Sequence, residues 1–322
     1  MFLAVVTIVF HLVLPLAWLG GLARRTPASW VVRALGLFSS ALYVVFIVYA
    51  GAGWMMLGWY TRWALAVVAV PLWLLAASRV RGVAAWPRGF WRWVGAGAAL
   101  ALAVYMTGPY VSFVTAEHTS SVVDVHSPLP AGANMVLQGG EMPELNHHWH
   151  VRAQHYALDI VRLNAAGVRA RGLAPAQLAD YASYGVTLRA PCAGEVLFTR
   201  DELEDQPAGL PGEEGRRTPL GNTVLLHCSS DITVVLAHLQ RSSVRVVVGQ
   251  QVAVGDVLGA VGNTGNTTEP HLHLHAVRGR VSDPTYATVD AEPVLLSIDG
   301  QVPRRNDLLH AQASAAPAPS ES

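Results

Sequence analysis

The chain has 322 residues, 52% of them hydrophobic, and a formal charge of zero. That balance is not local: all 22 acidic residues lie at or after Glu117, and the residues before it carry eight arginines between long uncharged runs, leaving 14 arginines against 22 acids, about −8, in the remainder. An acidic segment without an unmixed arginine cluster excludes nucleic acid as a partner, and two cysteines, Cys192 and Cys228, exclude a cysteine-rich scaffold and a thiolate zinc finger.

A helix that crosses the hydrocarbon layer needs roughly 17–25 apolar residues. Four stretches meet or approach this: Phe2 to Leu22, Ala34 to Trp54, Trp63 to Ser78 and Val94 to Val114. They predict an α-helical bundle of four spans over residues 1–116, held in a lipid bilayer. The third is short, and its flanking Arg62 and Arg79 can snorkel outward. Arg24, Arg25 and Arg33 lie between the first two spans, and Arg79, Arg81, Arg88 and Arg92 between the last two. Basic residues collect on the cytoplasmic side, so both loops are expected inside and the acidic remainder outside. No basic residue precedes the first apolar run, which is therefore read as a retained span and not a cleavable signal. His11 within it is expected to be a neutral, helix-packed histidine. Trp18, Trp30, Trp59, Trp63 and Trp93 are read as interfacial anchors.

From Glu117 the texture changes to short β-rich runs punctuated by Gly, Pro and Asn, which predicts a mainly β, antiparallel domain over residues 117–310. Candidate strands are Gly194 to Thr199, Thr223 to Cys228, Thr233 to His238, Ser243 to Val248 and His271 to Val277. Two stretches interrupt the pattern: Asn164 to Tyr184, with a helix-favouring centre at Ala174 to Tyr181, and the acidic Asp201 to Thr218. Either they frame a groove or they are solvated loops. If the first two strands pair as a hairpin, Cys192 comes opposite Cys228, a placement that suits a disulfide in an oxidising compartment, with two buried thiols as the alternative. The Ala-, Pro- and Ser-rich residues 311–322 predict a disordered tail.

Five residues stand out chemically: His155 and Asp159 in His-Tyr-Ala-Leu-Asp, His238 in Leu-Ala-His-Leu, and His271 and His273 in Pro-His-Leu-His-Leu-His. Imidazole and carboxylate are borderline ligands that suit zinc. On a strand, His271 and His273 share a face about 6–7 Å apart. His155 and Asp159 would be about 13 Å apart on a regular strand, too far to share an ion. A helical turn or a bend has to bring them together.

The order of these blocks, with Tyr184 to Pro191, Gly221 to Val224, the glycine-and-valine ladder Val246 to Val261, and Gly262-Asn263-Thr264-Gly265-Asn266-Thr267-Thr268-Glu269-Pro270-His271-Leu272-His273, resembles the lysostaphin-type (LytM-type) zinc metallopeptidases. The resemblance runs over a motif core of residues 146–290. It implies a compact, largely antiparallel lysostaphin-like fold with one Zn2+ bound by His155, Asp159 and His273, and with His238 and His271 as catalytic histidines. It implies a metalloendopeptidase acting on peptidoglycan stem or cross-bridge peptides, on the periplasmic or extracellular side of the cell (inner) membrane. Three departures stand out: Ala157 where the family usually has glycine, His275 where an acidic residue is usual, and a longer Asn164 to Tyr184 connector. Asn146-His147-His148-Trp149-His150 could supply a ligand in place of His155, plug the metal from upstream, or form a surface loop. His126 and His310 are expected to be solvent-exposed. The main alternative function is a catalytically silent wall-binding or hydrolase-activating module of the same fold; a sensor or assembly module for the membrane bundle is a third.

Overall fold

The structure, a computed structural model, describes residues 2–27, 29–80, 84–86, 89–115, 122–209 and 211–309. It divides into two compact units, Met1–Glu117 and His118–Ser322. His310 and the expected tail lie outside the described residues.

The first unit is helical. Among the described residues, three helices are long and apolar enough to cross a membrane, Ala4–Arg24, Trp30–Ala50 and Thr61–Ser78, and not the four expected. The fourth expected span falls in the helix Phe90–Thr115, which is not among the three. The second helix begins four residues before its apolar run, because the Ser29 hydroxyl accepts from the Val32 amide and caps it. That places Arg33 in the first turn, where its guanidinium donates to the carbonyls of Leu22 and Arg25. Arg62 does not snorkel outward: it is buried, with its guanidinium 3.9 Å from the centre of the Trp59 ring and 4.8 Å from that of Trp63.

His11 sits in a π-helical turn, Val9–Val13. Its Nδ1 donates to the Thr7 carbonyl at 3.0 Å and its Nε2 accepts from the Gly53 amide at 3.1 Å. The His11 and Trp54 rings pack nearly perpendicular, with centres 5.3 Å apart, so this histidine is a packing and hydrogen-bonding element.

Among the described residues, the second unit has twelve strands: β1 Val122–Val125, β2 Asn134–Gln138, β3 Leu158–Arg162, β4 Thr187–Arg189, β5 Gly194–Arg200, β6 Asn222–Cys228, β7 Ile232–Leu239, β8 Gln251–Val252, β9 Val257–Ala260, β10 Leu272–Arg278, β11 Pro293–Ile298 and β12 Leu308–Leu309. Ten form one sheet with the path β12-β2-β3-β10-β7-β6-β5-β8; β11 pairs with the far half of β10 and, in parallel, with β1. β4 and β9 form a separate ribbon. The remaining sheet ladders are antiparallel.

Alternation along the central strands gives each face its own core. Leu226, Val234, Leu236, Leu272, Leu274 and Ala276 enter the larger one, whereas Leu225, Val235, Ala237 and Val277 enter a smaller one on the opposite face. Cys192 and Cys228 are joined as a disulfide with a Cα–Cα distance of 5.8 Å. The hairpin register is Gly194↔Cys228, so Cys192 reaches Cys228 diagonally from just outside β5.

Two expected elements do not form. Ser243 to Val248 is not a strand, because the Ser243 and Val244 amides donate to the Asp201 carboxylate and the Val247 amide to the Gln250 side chain, where a strand would use a neighbouring ladder. The helix expected at Ala174 to Tyr181 reduces to the 3-10 turn Leu178–Asp180, held by the bridge between Ala170 and Tyr181.

Candidate metal centre and catalytic histidines

Asp159 on β3 lies directly across from His273 on β10. The pair meets on the face opposite the larger core, and the carboxylate is the hub of the site. His273 Nδ1 lies 3.0 Å from Asp159 Oδ1, His148 Nε2 lies 3.1 Å from both carboxylate oxygens, and His271 Nε2 lies 3.5 Å from Oδ1. The rings of His147 and His148 pack with their centres 3.9 Å apart, and one ligand atom from each gathers with Asp159 within 4.8 Å. Of the histidines around the carboxylate, His147 is the exposed one.

His155 is placed elsewhere. It ends the 3-10 turn Arg152–Gln154, before β3 begins, and its ring packs against Trp149 and Tyr156. Among the described residues it is not part of the group gathered on Asp159. The turn that could have brought His155 to Asp159 instead presents His148, from the preceding 3-10 turn His147–His150. Asn146 makes this arrangement. Its Oδ1 accepts from the His148 amide and caps the turn, while its Nδ2 donates to the carbonyls of Gly140, His155 and Ala157. The fully buried asparagine thus binds the loop that carries His148 to the entry of β3. The sequence signal was an N-cap residue directly before the histidine run.

His238 owes its place to a bulge. Thr223 pairs with Ala237 but Asn222 pairs with Leu239, so His238 is an extra residue on β7, with φ at +62°. A left-handed non-glycine residue of this kind costs about 1–3 kcal/mol and is held by its surroundings. The bulge moves the histidine off the core face onto the side of His271 and His273, with ring centres 4.8 and 5.7 Å away. His238 Nδ1 donates to the Thr264 carbonyl and His271 Nδ1 to the Glu269 carbonyl, both at 2.8 Å. A carbonyl only accepts, so in both neutral rings the free lone pair is on Nε2.

Burial shapes the electrostatics. It pushes His273 down to about 3 against the pull of Asp159, and His238 well below the ordinary histidine range, where neighbouring His271 and His273 reinforce it. Burial would raise the Asp159 carboxyl, but His148 and His271 outweigh it and hold the carboxyl well below its usual range. In His271 burial is outweighed by Asp159, and the ring is raised.

Both interrupting stretches hold the loop that carries His271. Arg169 donates through Nε to both oxygens of Glu269 at 2.8 Å in a buried ion pair. From the acidic stretch, Asp205 accepts from the Asn263 amide, Gln206 Nε2 donates to the Gly265 carbonyl, and the Gly209 amide donates to the Thr268 carbonyl.

Residues 178–284 match the family described as Peptidase family M23. This segment contains His238, His271 and His273 but begins after Asp159 and the His147–His155 turns. The cell division protein DipM of Caulobacter vibrioides is 38% identical over 91 residues, 28% of this chain and 14% of that protein. The DD-carboxypeptidase/endopeptidase Mpg of Neisseria meningitidis serogroup B is 31% identical over 107 residues, 33% of this chain and 21% of that protein. The chain thus spans 14% and 21% of the length of these two relatives. A solved structure of a putative peptidase M23 from Pseudomonas aeruginosa is similar at 20% identity over 66% of this chain and 62% of that chain, with a TM-score of 0.28. Residues 178–284 of this chain are a peptidase family M23 domain.

Proposed function

We propose that the chain is a membrane-anchored zinc metalloendopeptidase that hydrolyses peptide bonds in peptidoglycan stem or cross-bridge peptides. The observation that carries this reading is the buried Asp159 carboxylate with His148 Nε2 and His273 Nδ1 at 3.0–3.1 Å, beside two histidines anchored through Nδ1.

The donor set fits a borderline divalent cation. Two imidazoles and a carboxylate are a common three-residue set for a catalytic zinc, and burial keeps His273 in the neutral form that a metal ligand needs. His148, Asp159 and His273 would hold one zinc per domain, in place of the set with His155 that the resemblance implies, and the exposed His147 lies at the rim. When bound, the ion would supply Lewis acidity to polarise the scissile carbonyl and acidify a water. Of His238 and His271, one neutral ring takes the proton of the attacking water on Nε2 and passes it to the leaving amine, while the other, when protonated on Nε2, donates to the oxyanion.

The arginine-rich loops support an outward placement of the second unit, on the periplasmic or extracellular side. This requires the helix Phe90–Thr115 to cross the bilayer, and its 26 residues span about 39 Å at 1.5 Å per residue. A reporter fused to the C-terminus is expected outside; a cytoplasmic reporter would overturn the placement.

Activity is tested on the full chain in detergent with purified peptidoglycan, by mass spectrometry of released peptides. Zinc-loaded protein should release peptides with new amino termini, and a chelator should stop it. Zinc-loaded protein that releases none would favour the catalytically silent alternative.

A further inference from the structure

His275, two residues beyond His273 on β10, takes no part in the chemistry above, yet it is buried and fully engaged. Its Nε2 lies 2.9 Å from the Ala287 carbonyl and its Nδ1 lies 2.9 Å from His273 Nε2. We propose that His275 is a positioning residue that fixes the tautomer of His273, so that His273 presents its Nδ1 lone pair beside Asp159 to a divalent cation.

The acceptors along this chain of contacts decide where each proton sits. A carbonyl has no proton to give, so His275 donates to Ala287 through Nε2–H. The neutral ring then has a lone pair on Nδ1, and the only proton that can fill the 2.9 Å contact is the one on His273 Nε2. A neutral His273 that keeps its proton on Nε2 has its lone pair on Nδ1, the atom 3.0 Å from Asp159. A ligating histidine whose other nitrogen donates to an acceptor is held in orientation and made a better donor.

The relay ends on the helix Pro284–Val289, capped by Asp283. The Thr288 carbonyl of that helix also accepts from Gln154 Nε2, so one short helix steadies β10 and the turn before His155. Val277 and Ala287 lie in the same apolar cluster, which keeps water away from the far end of the relay.

The inference rests on the metal reading, and two substitutions separate them. His275→Asn places an amide oxygen where Nδ1 was and keeps the acceptor for His273, but cannot reach Ala287. His275→Gln keeps a donor for Ala287 and loses the acceptor at the His273 side. Full-length protein in detergent is titrated with Co2+ and, in competition with a chromophoric chelator, with Zn2+; the cobalt absorption bands report ligand geometry, and thermal melts of the metal-free proteins report folding. His275→Asn should keep affinity within a few-fold of wild type and an unshifted cobalt spectrum. His275→Gln should lose roughly 10–100-fold in affinity and shift the spectrum at a comparable melting temperature. Equal affinity and spectra for both variants would overturn the role of His275 and leave the metal site standing. Wild-type protein that takes up neither ion would overturn the metal reading and this inference with it.

Discussion

The two halves of the site are built on different physical terms. His238, His271 and His273 come from strands or their ends, where period-2 alternation and a fixed register decide which side chains share a face. His147, His148 and His155 come from consecutive 3-10 turns, where no long-range ladder sets the facing and a single cap, Asn146, decides which histidine meets Asp159. A strand motif can be read from spacing alone, whereas a turn motif depends on how its backbone polar groups are satisfied.

If His238 and His271 do the chemistry and not the binding, removing them should separate the two properties. His238→Ala and His271→Ala should each keep bound metal and lose about 10²–10⁴-fold in turnover, measured as peptide release against metal content. Loss of the metal in either variant would make that histidine a ligand.

The disulfide sharpens the contrast from the other side, since it staples the strand system away from the turns. Cys192→Ser with Cys228→Ser opens a link across 36 residues and should cost about 2–4 kcal/mol in unfolding, with metal affinity unchanged. A comparable loss of metal affinity would show that strand stability governs the site.

Asn146→Ala addresses the turn-borne half. It leaves the carbonyls of Gly140, His155 and Ala157 and the His148 amide without their partner, at about 1–3 kcal/mol in stability. Because those bonds place His148, metal affinity should fall as well, by about tenfold. Unchanged affinity would mean that His148 finds Asp159 without the cap.

The smallest effect is on pH. His238, His273 and His275 are held neutral below the usual histidine range, chiefly by burial. The unfolded chain protonates them below about 6.5. Their folded values are depressed, so in the metal-free protein the unfolded state binds more protons in that window, and stability falls as pH drops from about 6.5 towards 4. The thermal midpoint of chelated protein should decrease between about pH 7 and pH 5; a midpoint that rises as pH falls would contradict the buried, neutral assignment.

The same contrast explains what was legible in advance. Strands β5, β6, β7 and β10 lie within a residue or two of the expected runs, because their alternation is long and apolar. The short β1, β2 and β11 carry too few residues to show a period. His238 stood out by its motif, but the bulge that places it beside His271 and His273 did not, since its φ of +62° has no signature in Leu-Ala-His-Leu. The spacing of His155 and Asp159 was correctly too long for a strand, yet which histidine a turn would deliver depended on the side chain of Asn146. Arg33 and Arg62 are within or next to apolar helices because backbone carbonyls and indole rings receive their guanidinium groups.

The proposed ligand set of His148, Asp159 and His273 is tested most directly by zinc stoichiometry of the full-length protein in wild-type, His148→Ala and His155→Ala forms. One zinc is expected in wild type, none in His148→Ala and one in His155→Ala. Zinc retained by His148→Ala and lost from His155→Ala would contradict this set and return the site to the ligands that the sequence resemblance implies.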